Sequence, residues 1–510
     1  MNEYRGSLRC AYTSAAVRQL DEVAINRYGI PGIVLMRRAG AATLAALLDR
    51  WPSTTSLIVL CGAGNNAGDG YIVAGLAAQK GITAEVKWLV APDRLKGDAR
   101  LAWQWAEQQG VGIESYSSSS ELNGDVIVDA LLGTGLQGNV RDSYLEPVLA
   151  INSCEKPIVA VDIPSGLNAD TGMAMGACVE ADLTVTFIGL KCGLFTGDGT
   201  RYTGELRFEN LEVPASAYTE VEIAAQILDI EELLQAFPPR RKNAHKGHFG
   251  HLLLVGGDKG MPGSIAMAAI AAAKTGAGLT SVATHQEHVA PLITMQPEIM
   301  VNGVDSGQEF EPLLDSESNR YSAVVIGPGL GQTAWSEQML QVVLNSTQPL
   351  VVDADGLNLI AGKSESKRDN WVLTPHPGEA GRLLNCSTAE VQQNRFDAVT
   401  SIQKQYGGVV LLKGAGTLIC DGGTISICPY GNPGMSAGGM GDVLTGIIGG
   451  LICQGLSLSR ATQLGVCLHA KAADLVASRT GEVGLMATDL FTDLRQLINN
   501  RGNSGAVKSG

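Results

Sequence analysis

The chain has 510 residues, which exceeds one ordinary domain and predicts two or more. Hydrophobic residues make up 45% of it, aromatic residues only 5%, and 63 residues are glycine, which is typical of α/β domains with small-residue packing and many tight turns. The formal net charge of −14 and the isoelectric point near 5.0 argue against a nucleic-acid partner or an anionic membrane surface.

The first half of the chain alternates apolar strand patterns with helical patterns. A helix is predicted in "GDGYIVAGLAAQKG", which follows the first predicted strand closely. Strands are predicted in "TSLIVLCGAG", "ITAEVKWLV", "DVIVDALLGTG" and "PIVAVDIPSG", with a closing strand in "GELRFENLEVP". Two of these strands run into an Asp and a glycine turn, which is typical of parallel strands with polar residues at their carboxyl ends. We therefore expect a ligand site at those ends.

The second half begins again after a predicted linker at residues 221–240, where two prolines precede a basic run. A strand, a small-residue helix and a second strand are predicted in "HLLLVGG", "GSIAMAAIAAAKTG" and "GLTSVAT". Later strands are predicted in "YSAVVIGPGLG", "QPLVVDADGLNLI", "NWVLTPHPGE" and "GVVLLKGAGTLICDG". The sequence thus predicts an α/β protein with two three-layer α/β/α domains, residues 1–220 and 241–498, and a disordered tail at 499–510.

Cysteine usage and the lack of long apolar runs predict a cytoplasmic protein that binds no membrane. Ten cysteines are scattered along the chain without a CxxC pair, which is typical of reduced thiols. The N-terminus lacks the apolar segment of a signal peptide. No uninterrupted apolar run reaches the roughly 18 residues that a membrane-spanning helix needs.

A glycine-rich turn, "CGAGNNAGDG", follows the first predicted strand. It matches GxGxxA through Gly62, Gly64 and Ala67, a weak dinucleotide-binding pattern. The acidic residue that this pattern needs about 20 residues later would be Glu85, which lies inside a strand pattern. The sequence therefore disfavours an ordinary nicotinamide dehydrogenase.

Oxygen-bearing side chains cluster at the predicted strand ends of the first half. Asn65, Asn66 and Asp69 carry oxygens that suit a hard cation or ribose hydroxyls. Asp129 and Asp162 end two further strands. Each Asp alone is explained as a cap of the following turn, but the set favours a site.

The stretch "GNPGMSAGGMGD", Gly431–Asp442, places five glycines ahead of one carboxylate and an apolar helical segment. Glycines allow backbone N–H groups to approach a ligand, and a helix N-terminus adds further donors, so the stretch favours an anion such as phosphate. Asp442 either caps the helix or takes a proton from a hydroxyl that meets the phosphate. No Walker A motif, GxxxxGK[ST], occurs in the chain.

Four segments of the first half resemble the NAD(P)H-hydrate epimerase family: "DEVAINRYGIPGIVLMRRAG", "NNAGDGYIVAGLA", "VDALLGTGLQG" and "VDIPSGLNADTG", in chain order over roughly residues 10–215. The resemblance implies a Rossmann-like domain that interconverts the two epimers of hydrated NAD(P)H. It implies that Asn66, Asp129 and Ser165 hold K⁺. It also implies a substrate site formed by Asn65, Asn66, Ala67, Gly68, Asp69, Gly133, Thr134, Gly135, Leu136, Gln137, Gly138, Asn139 and Asp162.

The same resemblance makes Asp162 our candidate for proton transfer. Lys191, in "GLKCG", is a second candidate or a solvated loop charge. Arg37 departs from the family, which usually carries an acidic residue or Asn at that position, so the contact made there is open.

The second half resembles the ribokinase-like, ADP-dependent NAD(P)H-hydrate dehydratases over roughly residues 235–495. The resemblance rests on "NAHKGHFGHLLLVGG", "GPGLG", "DADGLN", "TPHPGE", "LLKGAGT" and "GNPGMSAGGMGDVLTG". It implies that Asp442 deprotonates the ring hydroxyl, that ADP phosphorylates it, and that loss of phosphate regenerates NAD(P)H with AMP released. The implied nucleotide contacts are Lys413, Gly414, Ala415, Gly416, Thr417 and Gly441, and the implied hydrate contacts are Ala266, Gly329, His376 and Asp442. Met440 and Ser264 depart from the small hydroxyl residue and the Ala that are common there.

Other polar residues have simpler interpretations. His245, His248 and His251 recur every third residue, but their glycine and basic neighbours disfavour a zinc site. His285 and His288 are predicted at the surface. Asp353 and Asp355 either help to place Mg²⁺ or cap the following segment.

Together these features predict a metabolite-repair enzyme that is both isomerase and lyase. Its expected partners are NADHX, NADPHX and ADP as co-substrate, with K⁺ and Mg²⁺ as cofactors, and we expect a homo-oligomer. ADP is favoured over ATP by the resemblance alone. The alternative is a ribokinase-like kinase of a small vitamin-precursor alcohol, with a non-catalytic N-terminal binding module. A non-catalytic role of the first domain as a scaffold also stays open.

Overall fold

The computed structural model describes residues 9–314, 320–363 and 367–500, and the chain divides into two compact units between Gln226 and Ile227. This division lies inside the range predicted as a linker, but much of that range has regular structure. Ala225–Ile227 forms a strand and Ile230–Gln235 a helix whose leucines pack into the core of the second unit. Asp229 caps this helix by accepting from the N–H groups of Glu231 and Glu232. Residues 501–510 of the predicted tail lie outside the described residues.

The first unit is built around a seven-stranded parallel sheet with helices between its strands. Its strands are β1 (Cys10–Tyr12), β2 (Ser56–Cys61), β3 (Thr83–Trp88), β4 (Gly112–Ser115), β5 (Val126–Ala130), β6 (Ile158–Val161), β7 (Leu183–Phe187), β8 (Leu190–Lys191), β9 (Glu205–Glu209) and β10 (Ala225–Ile227). The short strands β1, β8 and β10 lie outside this sheet. Its helices are α1 (Ser14–Asn26), α2 (Gly32–Arg50), α3 (Asn65–Gln79), α4 (Gly97–Gln108), α5 (Asp142–Ser153), α6 (Gly199–Tyr202) and α7 (Ala215–Tyr218).

The main sheet of this unit has the order β4-β3-β2-β5-β6-β7-β9, with all neighbours parallel. The chain builds outward from β2 in one direction and from β5 in the other, so the order reverses between these two strands. Along β2, Leu57, Val59 and Cys61 enter one core while Ile58 and Leu60 enter another, so both faces of the sheet are covered. The predicted three-layer, Rossmann-like architecture is confirmed, and its crevice lies at the reversal, where such sheets bind ligands.

The second unit contains a longer, mostly parallel sheet. Its strands are β11 (His251–Val255), β12 (Leu279–Thr284), β13 (Met300–Gly303), β14 (Ala323–Ile326), β15 (Leu350–Val352), β16 (Trp371–Leu373), β17 (Val409–Leu412), β18 (Thr417–Cys420) and β19 (Ile425–Cys428). Its helices are α8 (Ile230–Gln235), α9 (Pro262–Thr275), α10 (Val289–Met295), α11 (Gly307–Phe310), α12 (Ala334–Leu344), α13 (Ala354–Ile360), α14 (Pro377–Leu384), α15 (Thr388–Gln393), α16 (Arg395–Tyr406), α17 (Met440–Cys453), α18 (Leu458–Thr480) and α19 (Leu490–Asn499).

Within this unit the strand order is β13-β12-β11-β14-β15-β16-β17-β18-β19, parallel up to β17 and antiparallel beyond it. The single strand predicted in "GVVLLKGAGTLICDG" is wrong, because the chain reverses between β17 and β18. Gly414 and Gly416 adopt φ values of 138° and 61°, which glycine alone accommodates readily, and they form this turn.

The alanine-rich helix α9 packs closely against α17. A Cβ atom at Gly446 would lie 2.0 Å from the carbonyl oxygen of Ala268, so only glycine fits at this contact. This close approach holds the middle of α17 against α9, and α17 also packs on β14, β15 and β11 of the sheet. Among the described residues, no helix is both long and apolar enough to cross a membrane.

Candidate active sites

A cavity of about 660 Å³ opens at the crevice of the first unit. Among the residues predicted to bind the epimerase substrate, those that line it are Asn65, Asn66, Asp69, Gly133, Thr134, Gly135, Leu136, Gln137, Asn139 and Asp162. Ala67, Gly68 and Gly138 do not line it. The cavity is also lined by residues that sequence analysis did not select, among them Val17, Asp21 and Asp98.

The loops around this cavity meet through glycine contacts. Helix α3 begins at Asn65, three residues after β2 ends, with Gly64 as its N-cap. A Cβ atom at Gly62 would lie 1.9 Å from the carbonyl oxygen of Leu131, which follows β5. The two loops at the reversal therefore touch, and the glycine motif is a packing requirement as well as a possible ligand contact.

Asp162 forms a buried ion pair with Lys191. The Lys191 side chain is fully buried, and its ammonium donates to Asp162 Oδ1, to Thr186 Oγ1 at 2.9 Å and to the Phe187 carbonyl at 3.0 Å. The Phe187 N–H also donates to Asp162 Oδ1 at 3.2 Å. Lys191 is therefore no solvated loop charge, and it binds the carboxylate that the sequence selected for proton transfer.

The backbone holds Asp162 in an unusual conformation. Its φ is 67°, in the left-handed region that non-glycine residues seldom adopt, although Asp and Asn tolerate it best. Its N–H donates to the carbonyl of Val185 on the neighbouring strand at 2.8 Å. This turn directs the carboxylate into the cavity instead of along β6.

Two further carboxyl groups, Asp21 and Asp69, hold protons unusually tightly in this cavity. Burial raises the pKa of Asp69 well above its usual range, and the charges of Asp162 and Asp21 raise it further. Burial also raises the pKa of Asp21 to about 6, against the lowering effect of Lys191. Three carboxyl groups thus share one buried ammonium, so they cannot all be ionised without cost.

Asn66, Asp129 and Ser165 come together beneath the cavity. The fully buried Asp129 carboxylate accepts from the Ser165 hydroxyl at 2.6 Å and from the Ser165 N–H at 2.8 Å. Burial raises the pKa of Asp129 to about 6, although both bonds from Ser165 lower it. Asn66 donates to the Leu132 carbonyl at 3.1 Å, whereas its buried Oδ1 has no hydrogen-bond partner among the described residues.

Arg37 points away from this cavity. It is exposed, and its guanidinium lies 5.6 Å from the ring centroid of Trp105 on α4. The departure from the family pattern at this position is therefore accommodated by a cation–π contact between helices.

In the second unit, Asp442 lies in the first turn of α17, which begins after Gly439 with a φ of 86°. Burial raises the pKa of Asp442 to about 6; the nearby charge of Asp353 raises it further, and a hydrogen bond with Ser264 lowers it. A Cβ atom at Gly441 would lie 3.3 Å from Lys413 Nζ, so the backbone of this turn borders the lysine. The carboxyl group and the free N–H groups of the turn thus face the same region as Lys413.

Asp353 is the partner of Lys413. Its buried carboxylate accepts from Lys413 Nζ at 2.8 Å, from Thr374 at 2.8 Å and from Thr445 at 2.7 Å. Burial alone would raise the pKa of Asp353, but Lys413 and the hydroxyl bonds lower it below its usual range. Asp353 makes no side-chain cap to α13, so that interpretation is wrong. Asp355 accepts from the Gly331 N–H at 2.9 Å and so holds the "GPGLG" loop.

The predicted nucleotide turn, Lys413 to Thr417, is held by Arg395, a residue that sequence analysis missed. The buried guanidinium of Arg395 donates to the carbonyls of Leu412, Lys413 and Gly416. A Cβ atom at Gly414 would lie 2.7 Å from it. Ala415 lies within the same turn, and Thr417 donates to the Gly414 carbonyl at 2.9 Å. No local motif marks Arg395, because it lies 18 residues before Lys413 on a different element.

The predicted hydrate contacts differ in their surroundings. His376 is half-exposed and caps α14, since its Nδ1 accepts from the Gly378 N–H at 2.9 Å. Burial lowers the pKa of His376, with a further contribution from Lys413. Gly329 has a φ of 58° and lies against Met261 and Ser264, while Ala266 is buried in α9.

The interpretation of His285 and His288 as surface residues is wrong. Both are buried, and the His285 ring contacts Asp258 at 3.0 Å and Asp305 at 3.1 Å. His288 Nδ1 lies 3.1 Å from the Gly257 carbonyl. Both histidines thus contact the loop after β11. The sequence did not predict this, because a short polar segment flanked by turns is typical of the surface.

The three histidines at and before the start of β11 do not form a cluster. His245 and His248 are exposed and stack on each other, whereas His251 is buried and contacts Ser281 at 2.8 Å. Among the described residues, no group of three or more His, Cys, Asp or Glu side chains is arranged to hold a metal ion.

Comparison with known proteins matches both units. Residues 252–496 match the family model described as NAD(P)H-hydrate dehydratase, and residues 32–193 match the one described as YjeF-related protein N-terminus. The chain is 46% identical to the bifunctional NAD(P)H-hydrate repair enzyme Nnr of Coxiella burnetii, over 96% of this chain and 99% of that protein. It is 43% identical to the enzyme of the same name from Escherichia coli, over 95% and 93%.

Among solved structures, the second unit is similar to an ADP/ATP-dependent NAD(P)H-hydrate dehydratase from Bacillus subtilis that was co-crystallised with ATP and Mg²⁺. The two are 31% identical, with a TM-score of 0.48, and the match covers 52% of this chain and 95% of that one.

Proposed function

Because the chain belongs to the family of bifunctional NAD(P)H-hydrate repair enzymes, we propose that its two units carry out the two repair steps in turn. The first unit epimerises hydrated NAD(P)H, and the second dehydrates the S epimer with a nucleotide as phosphoryl donor. The observation that carries the second step is Asp442, a carboxyl group with a pKa near 6 in the first turn of α17 beside Lys413. The kinase alternative gives the first unit no role, whereas relatives match along both units.

In the first unit, we assign proton transfer to Asp162. Its carboxylate lines the cavity and accepts from the Lys191 ammonium, which fixes its position. The loop residues from Asn65 to Asp69 and from Gly133 to Asn139 bind the substrate around it. A base held in one conformation beside a bound carbon is the arrangement that proton transfer requires.

We propose that Asn66, Asp129 and Ser165 hold K⁺. Within the described part of the chain, Asn66 Oδ1 has no hydrogen-bond partner, and the Asp129 carboxylate is fully buried. Both are oxygen ligands, so the residues present fit a hard monovalent ion. When bound, the ion supplies positive charge that stabilises the ionised form of Asp129. The chain's own part is to tie the loop after β5 to the Ser165 turn, through the two bonds that Asp129 accepts.

In the second unit, Asp442 takes the proton of the substrate hydroxyl, and the first turn of α17 stabilises the phosphoryl group in transfer. Lys413 and the turn to Thr417, with Gly441, bind the nucleotide. Ala266, Gly329 and His376 border the hydrate. Phosphorylation makes the hydroxyl oxygen a leaving group, and its departure as phosphate restores NAD(P)H.

Mg²⁺ is proposed to enter with the nucleotide phosphates, which is its usual mode of binding. The carboxylate of Asp353 already accepts bonds from Lys413 and two hydroxyls, so it fits the role of lysine partner better than that of a direct metal ligand. ADP as the preferred donor, a homo-oligomeric state and a cytoplasmic location are likewise proposals.

The test uses a chemically prepared mixture of the two NADHX epimers with K⁺, Mg²⁺ and ADP, and it follows the absorbance of NADH. Complete conversion is expected, because the first unit replenishes the S epimer. Conversion that stops when the S epimer is used up would contradict the role of the first unit. Parallel reactions with ATP compare the two donors, and failure with both would contradict the role of the second unit.

A further inference from the structure

Exchange of a hydroxyl between the two faces of a carbon involves two proton transfers. The departing oxygen must gain a proton and the water that adds must lose one, and two groups on the same cavity can share these transfers. The proposed function supplies only Asp162, whose carboxylate is already paired with Lys191. A second titratable group that lines the same cavity is Asp21.

Helix α1 is fixed beside Lys191 by contacts at its start. Strand β1 pairs with β8 so that Tyr12 lies opposite Lys191. The N–H and hydroxyl of Ser14 donate to the Asp170 carboxylate at 2.5 and 3.0 Å, and Asp170 lies in the segment that follows Asp162. These contacts connect the start of α1 to both members of the Asp162–Lys191 pair.

The helix turns one face towards the cavity. Val17, Asp21 and Ile25, spaced by four residues, all line it. On an adjoining face, a Cβ atom at Gly189 would lie 3.2 Å from Val17 and 3.3 Å from Leu20, so α1 packs directly on the turn that precedes Lys191. Asp21 is therefore placed in the cavity by packing, and its position does not depend on a mobile loop.

The charges around Asp21 come from several elements. Lys191 and Asp162 act on it from β8 and the turn after β6, and Glu22 adjoins it on α1. Other charged groups that line the same cavity are Arg18, Asp69, Asp98 and Arg141. Since burial raises the pKa of Asp21 to about 6, a fraction of this carboxyl group is protonated at neutral pH.

We propose that Asp21 is the second proton-transfer residue of the epimerase, acting with Asp162 across the same cavity; this rests on the proposed function of the first unit. Asp21 gives its proton to the hydroxyl oxygen as the carbon–oxygen bond breaks, and the ring nitrogen's electron pair stabilises the carbon that remains. Water then adds to the other face while Asp162 takes its proton. Transfer of that proton to Asp21 restores the enzyme, so no oxidant or co-reactant is consumed.

The test compares the full-length Asp21→Asn variant with the unaltered full-length protein. Purified R epimer is incubated without nucleotide, and its conversion to S is followed by chromatography. We expect the kcat of epimerisation to fall about 100-fold, within the usual contribution of a general acid, with little change in KM. Dehydration of the S epimer by the same preparation should be unchanged. Asp49→Asn, an exposed Asp on α2 outside the cavity, is the matched control and should leave both activities unchanged.

The pH profile separates catalysis from support of the fold. Because Asp21 acts in its protonated form, the rate of the unaltered enzyme should fall as pH rises above about 6. Asp21→Asn should lose this alkaline limb, and Asp21→Glu should recover activity and show the limb at a shifted pH. A variant Asp21→Asn that keeps both its rate and the limb overturns the proposal.

If Asp21→Asn does not unfold cooperatively, it is not correctly folded, and the test then depends on Asp21→Glu. An alkaline limb of the pH profile at an unchanged pH overturns the proposal, and a limb at a shifted pH supports it. Asp162→Asn distinguishes the two levels of the argument. Full epimerase activity in Asp162→Asn contradicts the proposed role of Asp162. If Asp162→Asn loses epimerase activity while Asp21→Asn keeps it, only the proposed role of Asp21 is contradicted.

Discussion

Each unit places a lysine against an aspartate beside its candidate site, but the two lysines pair with aspartates of different roles. In the first unit Lys191 pairs with Asp162, which itself lines the cavity. In the second unit Lys413 pairs with Asp353, while Asp442 lies nearby without direct pairing to it. The lysine therefore contacts the carboxylate proposed for catalysis in the first unit, and a different carboxylate in the second.

The comparison also identifies corresponding groups. Asp21 and Asp442 both have pKa values near 6, in both cases chiefly through burial and with a second carboxylate adding to the effect. A carboxyl group of this kind can exchange protons near neutral pH. Each unit thus has a carboxyl group with a raised pKa at its candidate site.

The largest effect is expected for Asp442→Asn, which removes the base from the second unit only. Without a base for the substrate hydroxyl, the kcat of dehydration should fall about 1000-fold. The measurement is NADH absorbance with pure S epimer, and epimerisation in the same sample should be unaffected. Asp421→Asn, an exposed Asp, is the control. Equal loss in both activities would mean that the substitution disturbs more than the base.

Lys191→Met tests whether the first lysine is also a structural element. Removing one member of a buried pair leaves Asp162 without its partner, so unfolding of the first unit should become easier by about 3 kcal/mol. Denaturant unfolding followed by circular dichroism measures this. Lys156→Met, at an exposed position, should change the free energy little. Unchanged stability of Lys191→Met would show that Asp162 simply takes up a proton instead.

Gly446→Ala extends the comparison from charge to packing. The added Cβ would meet the Ala268 carbonyl, so α9 and α17 would have to separate, at a cost of about 2 kcal/mol. The matched control is Gly263→Ala on α9, where a Cβ would meet nothing within 4 Å. That control should be neutral or stabilise slightly by the loss of unfolded-chain freedom. Thermal unfolding of the two variants gives the difference.

The smallest expected effect is the pH dependence of dehydration, which tests whether the two units need carboxyl groups in different protonation states. Asp442 acts in its ionised form, so kcat should be constant well above pH 6 and fall as pH decreases through about 6. The fall should approach tenfold per pH unit, or about 1.4 kcal/mol. Epimerisation should instead lose rate on the alkaline side. If both activities fell on the same side of the pH profile, the proposal that the two units need different protonation states would be contradicted.

Much of the fold follows from local patterns. An apolar strand followed by Asp and a glycine turn predicted the ends of β5 and β6, because burial on both faces and tight turns leave a clear local pattern. The reversal after β17 was missed, since its glycines resemble a ligand-binding turn. Strand β7, "LTVTF", was also missed, because its threonines interrupt the apolar run.

The sites were predictable only where a motif lies on one short segment. Asp162 and Asp442 belong to such segments. Asp21 and Arg395 lie on helices that reach the sites through long-range packing. Asp21 opens the segment "DEVAINRYGIPGIVLMRRAG", but that pattern alone does not place it at the cavity, and no motif marks Arg395. His285 shows the converse, because a polar turn that reads as surface is buried by Asp258 and by Trp335, whose ring stacks on it at 4.4 Å.

The left-handed backbone at Asp162 restricts which genetic changes the position can absorb. Most side chains lose about 1–2 kcal/mol in that conformation, so Asp162→Ala combines loss of the carboxylate with backbone strain. Asp162→Asn removes the charge alone, because Asn tolerates the same φ. An inherited variant at this codon would therefore reduce the amount of protein, its activity or both, depending on the replacement, and only the amide substitution separates the two.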